Sequence, residues 1–352
     1  MRKLKKVVVL SLILVLGSLL IACGSKSAAT NPANGVDPIT GEAYPAQMNI
    51  GLIEGGPESA ILVQEKFLDS ISVKVNIINY SAGTDINNAI VSGDVDTASF
   101  GSSPIALGIA NGIPYKAVFV SYIEGGNIEA LVVKNSTGVK TVEGLKGKKI
   151  ATPFGTTSHY ALLNALKLAG LTEKDVTLVD MGGKDIVAAW LRGDIDAAYI
   201  WSPALDECLK DGTIVTNDGD LAKKGVTIPE IAVARSEFAK KYPTLVKQYV
   251  EALIKTNDLV AKDVDKSTKD VAAWEGITEI NAKGQITDNI WVSGKDQLSS
   301  AYLGTSTSKG KLAETLTTIA AFHAAQGNLK KAPDKSVFEN AIDPSFVESA
   351  LK

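Results

Sequence analysis

The chain has 352 residues, of which 45% are hydrophobic, and a formal net charge of -3. Both charge signs are interspersed and no basic block occurs, so the composition excludes a nucleic-acid-binding role. A chain of this length exceeds what one hydrophobic core usually supports, and we therefore expect two lobes.

The N-terminus has the pattern of an export signal. Basic residues at positions 2–6 precede an apolar run from Val7 to Ile21, which is shorter than the roughly 20 residues of a spanning helix. The run ends in Leu20-Ile21-Ala22-Cys23, which resembles a bacterial lipobox, in which the cysteine is acylated. We predict a signal peptide over residues 1–22 and lipidation at Cys23; the alternative is an ordinary signal peptide with an incidental cysteine.

Residues 23–46 are small, polar and rich in Pro and Gly, which predicts a lipid-anchored flexible tether. If Cys23 is acylated, Cys208 has no partner within the chain, so no disulfide forms. Cys208 lies in LDECLKDG, a helical pattern, and we expect a packed thiol there.

From residue 47 short apolar runs alternate with amphipathic segments. Predicted strands are MNIGLI, VKVNIINY, DTASF, YKAVFVSY and IEALVVK, with helices over ESAILVQEKFLD, TDINNAIVSGD and SPIALGIANG. The alternation restarts with strands KKIATPF, VTLVD, AAYI and EIAVAR and helices SHYALLNALKLAG, KDIVAAWLRGD and SPALDECLKDG. The last third is mostly helical, with SEFAKKYPTLVKQYVEALIKTNDLVAKD, KLAETLTTIAAFHAAQG and SFVESALK. Strands alternating with helices indicate an α/β fold of parallel units.

The two halves share a segment at an offset of 100 residues. SGDVDTASFGSSPI at 92–105 matches RGDIDAAYIWSPAL at 192–205 in Gly, Asp and Ala positions. We interpret this as one helix–turn–strand–helix unit used once in each lobe, with the Gly-Asp-x-Asp-x-Ala part as scaffold. The differing ends, Gly-Ser-Ser and Trp-Ser, would reach the ligand, because ligands bind beyond the carboxyl ends of strands in open α/β sheets.

Strand-to-helix loops supply the candidate anion contacts. Ser102-Ser103-Pro104 and Ser202-Pro203 have the composition of helix starts, with Ser as cap and Pro in the first turn, and ligand contact is a second possibility. The loop ATPFGTTSHY brings hydroxyls and backbone N–H groups to a helix N-terminus, which predicts an anion site; a simple cap is the alternative. That loop contains Gly155, Thr156, Thr157, Ser158 and His159.

Two carboxylates occur in apolar strands and need partners. Glu129 lies in NIEALVVK and Glu230 in IPEIAVAR. Their partner is either a Lys or Arg of the protein or a ligand ammonium. We place both strands at the crossings between lobes, bordering the cleft. Trp201, after AAYI, is either core or a wall against the ligand, and Glu54 in IEGGPESA is a weaker candidate.

These residues resemble the substrate-binding proteins of ABC importers, in the nitrate/sulfonate/taurine family, with its taurine-binding members as the best match. The resemblance rests on SGDVDTASFGSSPIAL, GNIEALVVK, KKIATPFGTTSHYALLNALK and AAWLRGDIDAAYIWSPAL, and covers about residues 47–327. It implies a two-lobed periplasmic-binding-protein type II fold, with doubly wound sheets joined by two strand crossings. We assign residues 47–131 and 236–352 to lobe 1 and residues 132–235 to lobe 2.

The resemblance also implies a ligand, taurine or a close aminosulfonate. Its ammonium would face Glu230, where the family commonly has Asp, and Ala232 stands where the family often has Trp. It further implies permease and ATPase partners, a monomer and a location outside the cytoplasmic membrane, held by the lipid anchor or in the periplasm. The implied sulfonate contacts are Ser102, Ser103, Thr156, Thr157 and Ser158.

Two other functions stay open. The protein could bind another organic anion, such as an alkanesulfonate or a pyrimidine-like ring stacked on Trp201, although Glu230 would repel a ligand without a cationic group. An enzyme is the second alternative. The two histidines are His159 and His323; neither lies in the surroundings of a catalytic nucleophile, and His323 sits on a helical pattern typical of a structural residue. No metal-ligand spacing and no cofactor motif occurs, so we predict neither a metal nor a cofactor.

Overall fold

The computed structural model describes residues 35–126 and 128–352. The predicted signal peptide, Cys23 and the first part of the predicted tether lie outside these residues. None of the helices within the described ranges combines the length and the apolarity needed to cross a bilayer.

The described chain builds two mixed sheets, which confirms the predicted two-sheet α/β plan. The first has the order β2-β1-β3-β10-β4-β11 and the second β7-β6-β8-β5-β9. The strands of the first sheet are β1 (Gln47–Ile53), β2 (Lys74–Tyr80), β3 (Thr97–Gly101), β4 (Tyr115–Ile123), β10 (Pro229–Arg235) and β11 (Ile290–Trp291). Those of the second are β5 (Glu129–Lys134), β6 (Lys149–Thr152), β7 (Thr177–Asp180), β8 (Ala197–Trp201) and β9 (Gly212–Asn217).

Helices cover both sheets. In chain order they are α1 (Pro57–Gln64), α2 (Gly83–Ser92), α3 (Ser102–Ala110), α4 (Thr157–Leu168), α5 (Gly183–Arg192), α6 (Ala204–Cys208), α7 (Asp218–Ala222), α8 (Ser236–Lys241), α9 (Pro243–Lys262), α10 (Val264–Glu275), α11 (Glu279–Thr287), α12 (Leu312–Ala325), α13 (Lys335–Ala341) and α14 (Ser345–Ala350). The predicted helical run after β10 is divided at Pro243, because proline starts a helix readily but cannot continue one. The sequence analysis did not identify β9, β11, α7, α10, α11 or α13.

Each sheet contains parallel strands and a strand that runs antiparallel to both of its neighbours. β1 pairs in parallel with β2 and β3, and β6 pairs in parallel with β7 and β8. β10 inserts antiparallel between β3 and β4, and β5 lies antiparallel between β8 and β9. The chain therefore passes between the sheets after β4 and again before β10.

The strands that carry Glu129 and Glu230 each belong wholly to one sheet. β5 lies in the second sheet, so residues 129–131, assigned to lobe 1 from the sequence, pair with lobe 2. β10 lies in the first sheet, so residues 229–235, assigned to lobe 2, pair with lobe 1. The sequence of an apolar strand does not indicate which sheet the strand joins. The lobe boundaries predicted at residues 131 and 235 therefore differ from the observed pairing of β5 and β10.

Part of the predicted tether is folded. Asp37 is fully buried, accepts from the backbone N–H of Ile39 at 2.9 Å, and accepts from that of Thr244 at 3.0 Å. Tyr44 packs against Tyr242, with ring centroids 6.3 Å apart. Residues 36–46 therefore dock at the start of α9, because one buried carboxylate satisfies backbone donors on both segments.

The repeated segment has the same geometry in both lobes. Gly93 and Gly193 end α2 and α5 in the left-handed conformation, with φ of 84° and 78°. Asp96 Oδ2 accepts from the N–H of Asn49 at the neighbouring strand β1, at 2.9 Å. Asp196 Oδ2 accepts in the same way from Lys149 on β6, at 2.8 Å. The shared Gly and Asp residues thus turn each helix and fix the next strand beside its neighbour, which is the scaffold role predicted for them.

Cys208 is fully buried in α6. Burial raises the pKa of its thiol to about 12, so the side chain is an inert packing group, as the sequence predicted.

Candidate functional site

A cavity of about 50 Å³ lies where the two lobes meet. It is reached by the carboxyl ends of β1, β3 and β8 and by the helices that follow the parallel strands. This is the position at which open α/β sheets bind ligands, and the volume suits a ligand of a few heavy atoms. Its lining includes Gly55, Gly56, Gly83, Gly101, Tyr122, Glu124, Ile128, Glu129, Thr156, Thr157, Trp201 and Glu230.

Three helix N-termini of the first lobe open into this cavity without a side-chain cap. α1 begins after Gly56, α2 after Ala82 and α3 after Gly101, and none of these residues provides a capping hydrogen bond. The first backbone N–H groups of a helix have no partner within it, and the helix dipole adds positive potential. The first-lobe wall can therefore accept an anionic group.

Glycine permits the close approach of the two lobes around the cavity. A Cβ on Gly101 would lie 2.4 Å from Cγ2 of Thr157, and one on Gly55 would lie 1.9 Å from the carbonyl oxygen of Ser202. Gly55 also has a φ of +87°, which other residues rarely adopt. Each pair joins one lobe to the other, so the lobes are closed on the cavity.

The predicted anion site at the start of α4 already contains a carboxylate of the protein. Oγ1 of Thr157 donates to Oε1 of Glu129 at 2.6 Å, and Oγ of Ser158 donates to Oε2 at 3.1 Å. Thr156 is the N-cap, accepts from the N–H of His159, and donates to the carbonyl oxygen of Pro153 at 2.6 Å. The three hydroxyls are thus committed to internal partners, and Glu129 occupies the positive end of this helix.

The serines at the other strand ends do not cap helices, contrary to expectation. Ser102 and Ser103 form the first turn of α3, and Ser103 Oγ lies 2.9 Å from Nε2 of His323. The buried hydroxyl of Ser102 has no hydrogen-bond partner among the described residues. The Ser202–Pro203 bond is cis, Pro203 is the N-cap of α6, and neither side chain caps that helix. A small residue before proline therefore does not distinguish a capped helix from a turn.

Both histidines are neutral packing groups. Burial lowers the pKa of His159 and of His323 to about 4. His159 stacks on Phe154 with ring centroids 4.4 Å apart and accepts from the N–H of Gly155. His323 is fully buried in α12, as predicted for a structural residue. Neither imidazole is positioned in the cavity lining as a cation for an anionic ligand.

Glu230 faces the cavity from β10 without a protein cation. Its backbone pairs with Gly101 of β3 and Tyr122 of β4, and its side chain has no ion-pair or hydrogen-bond partner among the described residues. Burial raises the pKa of Glu230 well above its ordinary range, and the nearby carboxyls of Glu58 and Glu129 raise it further. Trp201 lies across from Glu129 on β8 and lines both this cavity and an outer one.

Glu54 lies outside the inner cavity. It lines an outer cavity of about 270 Å³ beside Trp201, and its half-exposed carboxylate lies 3.7 Å from Nζ of Lys184 on the second lobe. Its partner is therefore a protein cation.

Three further acids are buried near the cavity and were not predicted from the sequence. Glu58, in the first turn of α1, has no hydrogen-bond partner for either oxygen among the described residues, and burial raises its pKa to about 8. Glu124 and Asp218 lie beside Glu129, although no metal-ligand spacing was found in the sequence. One signal was present: IEGG occurs at 53–56 and again at 123–126, and the second copy carries Glu124.

Comparison with known proteins gives a consistent result. The sequence profile of the NMT1/THI5-like family matches residues 65–267. The taurine-binding periplasmic protein of Escherichia coli is 33% identical over 248 residues, which cover 68% of this chain and 76% of the relative. A putative aliphatic sulfonates-binding protein of Bacillus subtilis is 26% identical over 192 residues, covering 54% of this chain and 57% of the relative.

The fold is also found in solved structures. The alkanesulfonate-binding protein SsuA of Xanthomonas axonopodis, solved with MOPS bound, superposes with a TM-score of 0.68 at 21% identity. The match covers 86% of this chain and 99% of that structure. The family match over residues 65–267 and the identity to the taurine-binding protein show that this chain belongs to the NMT1/THI5-like family.

Proposed function

We propose that this chain is the extracytoplasmic substrate-binding protein of an ABC importer and that it captures taurine or a related aminosulfonate between its lobes. The family membership and the taurine-binding relative support this proposal. The relatives compared are described as binding proteins, and neither histidine lines the cavity, so we propose no catalytic activity.

The observation that carries the proposal is the polarity of one small cavity. Uncapped N-termini of α1, α2 and α3 and the carboxyl of Glu230, which has no partner among the described residues, line this cavity together. A short zwitterion would direct its sulfonate to the helix N-termini and its ammonium to Glu230. Each charge-assisted hydrogen bond would contribute roughly 1.5–3 kcal/mol.

The predicted ligand contacts divide into two groups under this proposal. Glu230 and Trp201 line the cavity and contact the ligand, whereas Ser102 lies in the first turn of α3 directly after the cavity-lining Gly101 and supports that helix end. The polar groups of the other predicted residues have partners within the protein: they hold Glu129 in place, cap α4 or join the lobes, although Glu129, Thr156 and Thr157 also line the cavity. These supporting residues are Ser103, Thr156, Thr157, Ser158, His159, Glu129 and Glu54.

A thermal-shift panel tests the ligand class. Protein purified without residues 1–23, which precede the two folded lobes, is heated with taurine, with alkanesulfonates of two to six carbons, and with the corresponding amines. A ligand at about 100 times its Kd adds about 2.7 kcal/mol of stability by mass action. We expect taurine to raise the melting temperature of the protein most. If alkanesulfonates stabilise the protein and taurine does not, the aminosulfonate assignment is wrong.

One observation favours longer sulfonates as the second candidate. The outer cavity of about 270 Å³ shares Trp201 with the inner one and has room for an aliphatic or aromatic tail. The relative from Bacillus subtilis, described as a putative aliphatic sulfonates-binding protein, agrees with this candidate. The unpaired Glu230 argues against it, because a sulfonate without a cationic group leaves that carboxyl without a partner.

We also propose that the protein is exported and held at the outer face of the cytoplasmic membrane by a lipid on Cys23, or lies in the periplasm. The lipobox-like sequence supports the anchor. The monomer would deliver its ligand to permease and ATPase subunits, which would recognise the closed arrangement of the lobes. Mass spectrometry of the membrane fraction, with and without Cys23→Ser, tests for the acylated N-terminus.

A further inference from the structure

Three buried carboxylates from separate segments converge where the two lobes join. Glu124 follows β4, Glu129 opens β5, and Asp218 opens α7. One oxygen of each lies within 4.8 Å of the others, and each residue is no more than 5% exposed. Three buried negative charges at this separation repel one another strongly unless a cation or protons compensate them.

No protein cation compensates them within the described residues. The ion pairs of this part of the chain involve none of the three carboxylates. Oε2 of Glu124 and Oδ2 of Asp218 are buried and receive no hydrogen bond from another described group, although the two carboxyls are close enough to share a proton when no ion is bound. These two oxygens belong to the converging groups, so the cluster retains acceptor capacity that the other described residues do not use.

The other oxygens are held by hydroxyl donors. Thr157 and Ser158 donate to the two oxygens of Glu129, and the hydroxyl of Tyr199 donates to Oδ1 of Asp218 at 2.6 Å. Donors of this kind favour the ionised carboxylate and fix its orientation. Carboxylates that ligate metal ions are usually supported in the same way.

We propose that Glu124, Glu129 and Asp218 bind a hard divalent cation of the Ca²⁺ type between the two lobe connections. An oxygen-only donor set selects hard cations over Zn²⁺ or Cu²⁺. Ca²⁺ binds oxygen at about 2.3–2.6 Å, so ligands on opposite sides are about 5 Å apart, and the three oxygens, all within 4.8 Å of one another, fit within that span. Mg²⁺ demands a smaller and more regular octahedron.

The position gives the ion a structural consequence. The ion would join Glu124, in the segment where the chain leaves the first lobe, to Asp218, in the last helix before the chain returns to that lobe. Glu124 and Glu129 also line the ligand cavity, and three carboxylates exceed the charge of one divalent ion. The bound ion would leave a net negative charge facing the cavity.

The test measures the ion without the organic ligand. Protein lacking residues 1–23 is treated with EDTA, exchanged into metal-free buffer, and titrated calorimetrically with CaCl₂ and with MgCl₂. Terbium emission excited through Tyr199 and Trp201 provides a second readout. We expect saturable binding of one Ca²⁺ per chain, weaker Mg²⁺ binding, and a higher melting temperature with Ca²⁺.

Variants locate the site. Asp218→Asn and Glu124→Gln should each weaken Ca²⁺ binding roughly tenfold or more, whereas Asp220→Asn, on the same helix but half-exposed and paired with Lys223, should not. If the unmodified protein does not bind Ca²⁺, the proposal is wrong whether or not the variants fold. It is also wrong if Asp220→Asn loses as much Ca²⁺ affinity as the other two variants. Taurine stabilisation is measured in EDTA, so failure of the ion site is distinguishable from failure of the proposed function.

Discussion

The hydroxyl of Thr157 donates a 2.6 Å hydrogen bond to Oε1 of Glu129 and thereby joins the first turn of α4 to the start of β5. Cγ2 of the same threonine lies 2.4 Å from the position that a Cβ on Gly101, in the other lobe, would take. One side chain therefore fixes a buried carboxylate and limits how closely the lobes approach. The anion-binding end of α4 serves the protein's own acid.

Glu230→Gln should weaken taurine binding strongly. The substitution keeps the shape of the side chain but removes the charge that would face the ligand ammonium, at a cost of roughly 1.5–3 kcal/mol, or tenfold and more in Kd. Calorimetric titration measures it. Glu54→Gln is the matched control, since that carboxylate is half-exposed and paired with Lys184; equal losses in both variants would contradict a specific role for Glu230.

Thr157→Ala should lower both stability and taurine affinity moderately. It leaves one oxygen of buried Glu129 without its donor, which costs about 1–3 kcal/mol. Thr157→Ser keeps the hydroxyl and should recover most of the loss. The measurement is urea unfolding combined with taurine titration, and a serine variant as impaired as the alanine variant would show that the methyl group, not the hydrogen bond, matters.

Gly101→Ala should impair lobe closure with little effect on the folding of either lobe. Gly101 has a φ of -62°, which alanine adopts without strain, but its Cβ would lie 2.4 Å from Thr157 in the closed state. We expect a larger radius of gyration by X-ray scattering in the presence of taurine, and a higher Kd. Gly182→Ala, where a Cβ meets nothing within 4 Å, is the control and should close normally.

The protein without ligand or metal should lose stability as the pH rises. Burial raises the pKa of Glu58 from 4.5 to about 8, so the folded chain retains a proton that the unfolded chain releases. The contribution is complete below pH 4.5 and declines by up to about 1.4 kcal/mol per pH unit as the pH approaches 8. Glu124 and Glu230, whose pKa values are also raised, act in the same direction.

Denaturant titrations at about pH 5 and about pH 8, in EDTA, measure this dependence. Glu58→Gln should reduce the difference between the two pH values, because the amide does not titrate. The exposed control Glu314→Gln should leave it unchanged. A free energy of unfolding that increases from about pH 5 to about pH 8 would contradict protonation of these buried acids in the unliganded protein.

The sequence predicted the scaffold well because the scaffold depends on local patterns. Alternating apolar strands and amphipathic helices predicted the two-sheet α/β fold. The Gly-Asp-x-Asp-x-Ala repeat predicted two equivalent turns, since left-handed Gly93 and Gly193 end their helices locally. Asp96 and Asp196 then bond to the neighbouring strand, 47 residues earlier in each lobe. The sequence also singled out Glu129 and Glu230, which the fold buries in the cavity lining, because a charged residue in an apolar strand is conspicuous.

The partners of those acids depend on the tertiary structure. Thr157 and Ser158 have the composition of an anion site, and only the packing of α4 against β5 assigned them to Glu129. Glu124 and Asp218 are 94 residues apart and ordinary in their local sequence, so nothing there connects them to each other. Local residue order determines which helices and strands form. The net charge of a buried cavity depends on which distant segments meet there, and the folded chain alone determines that.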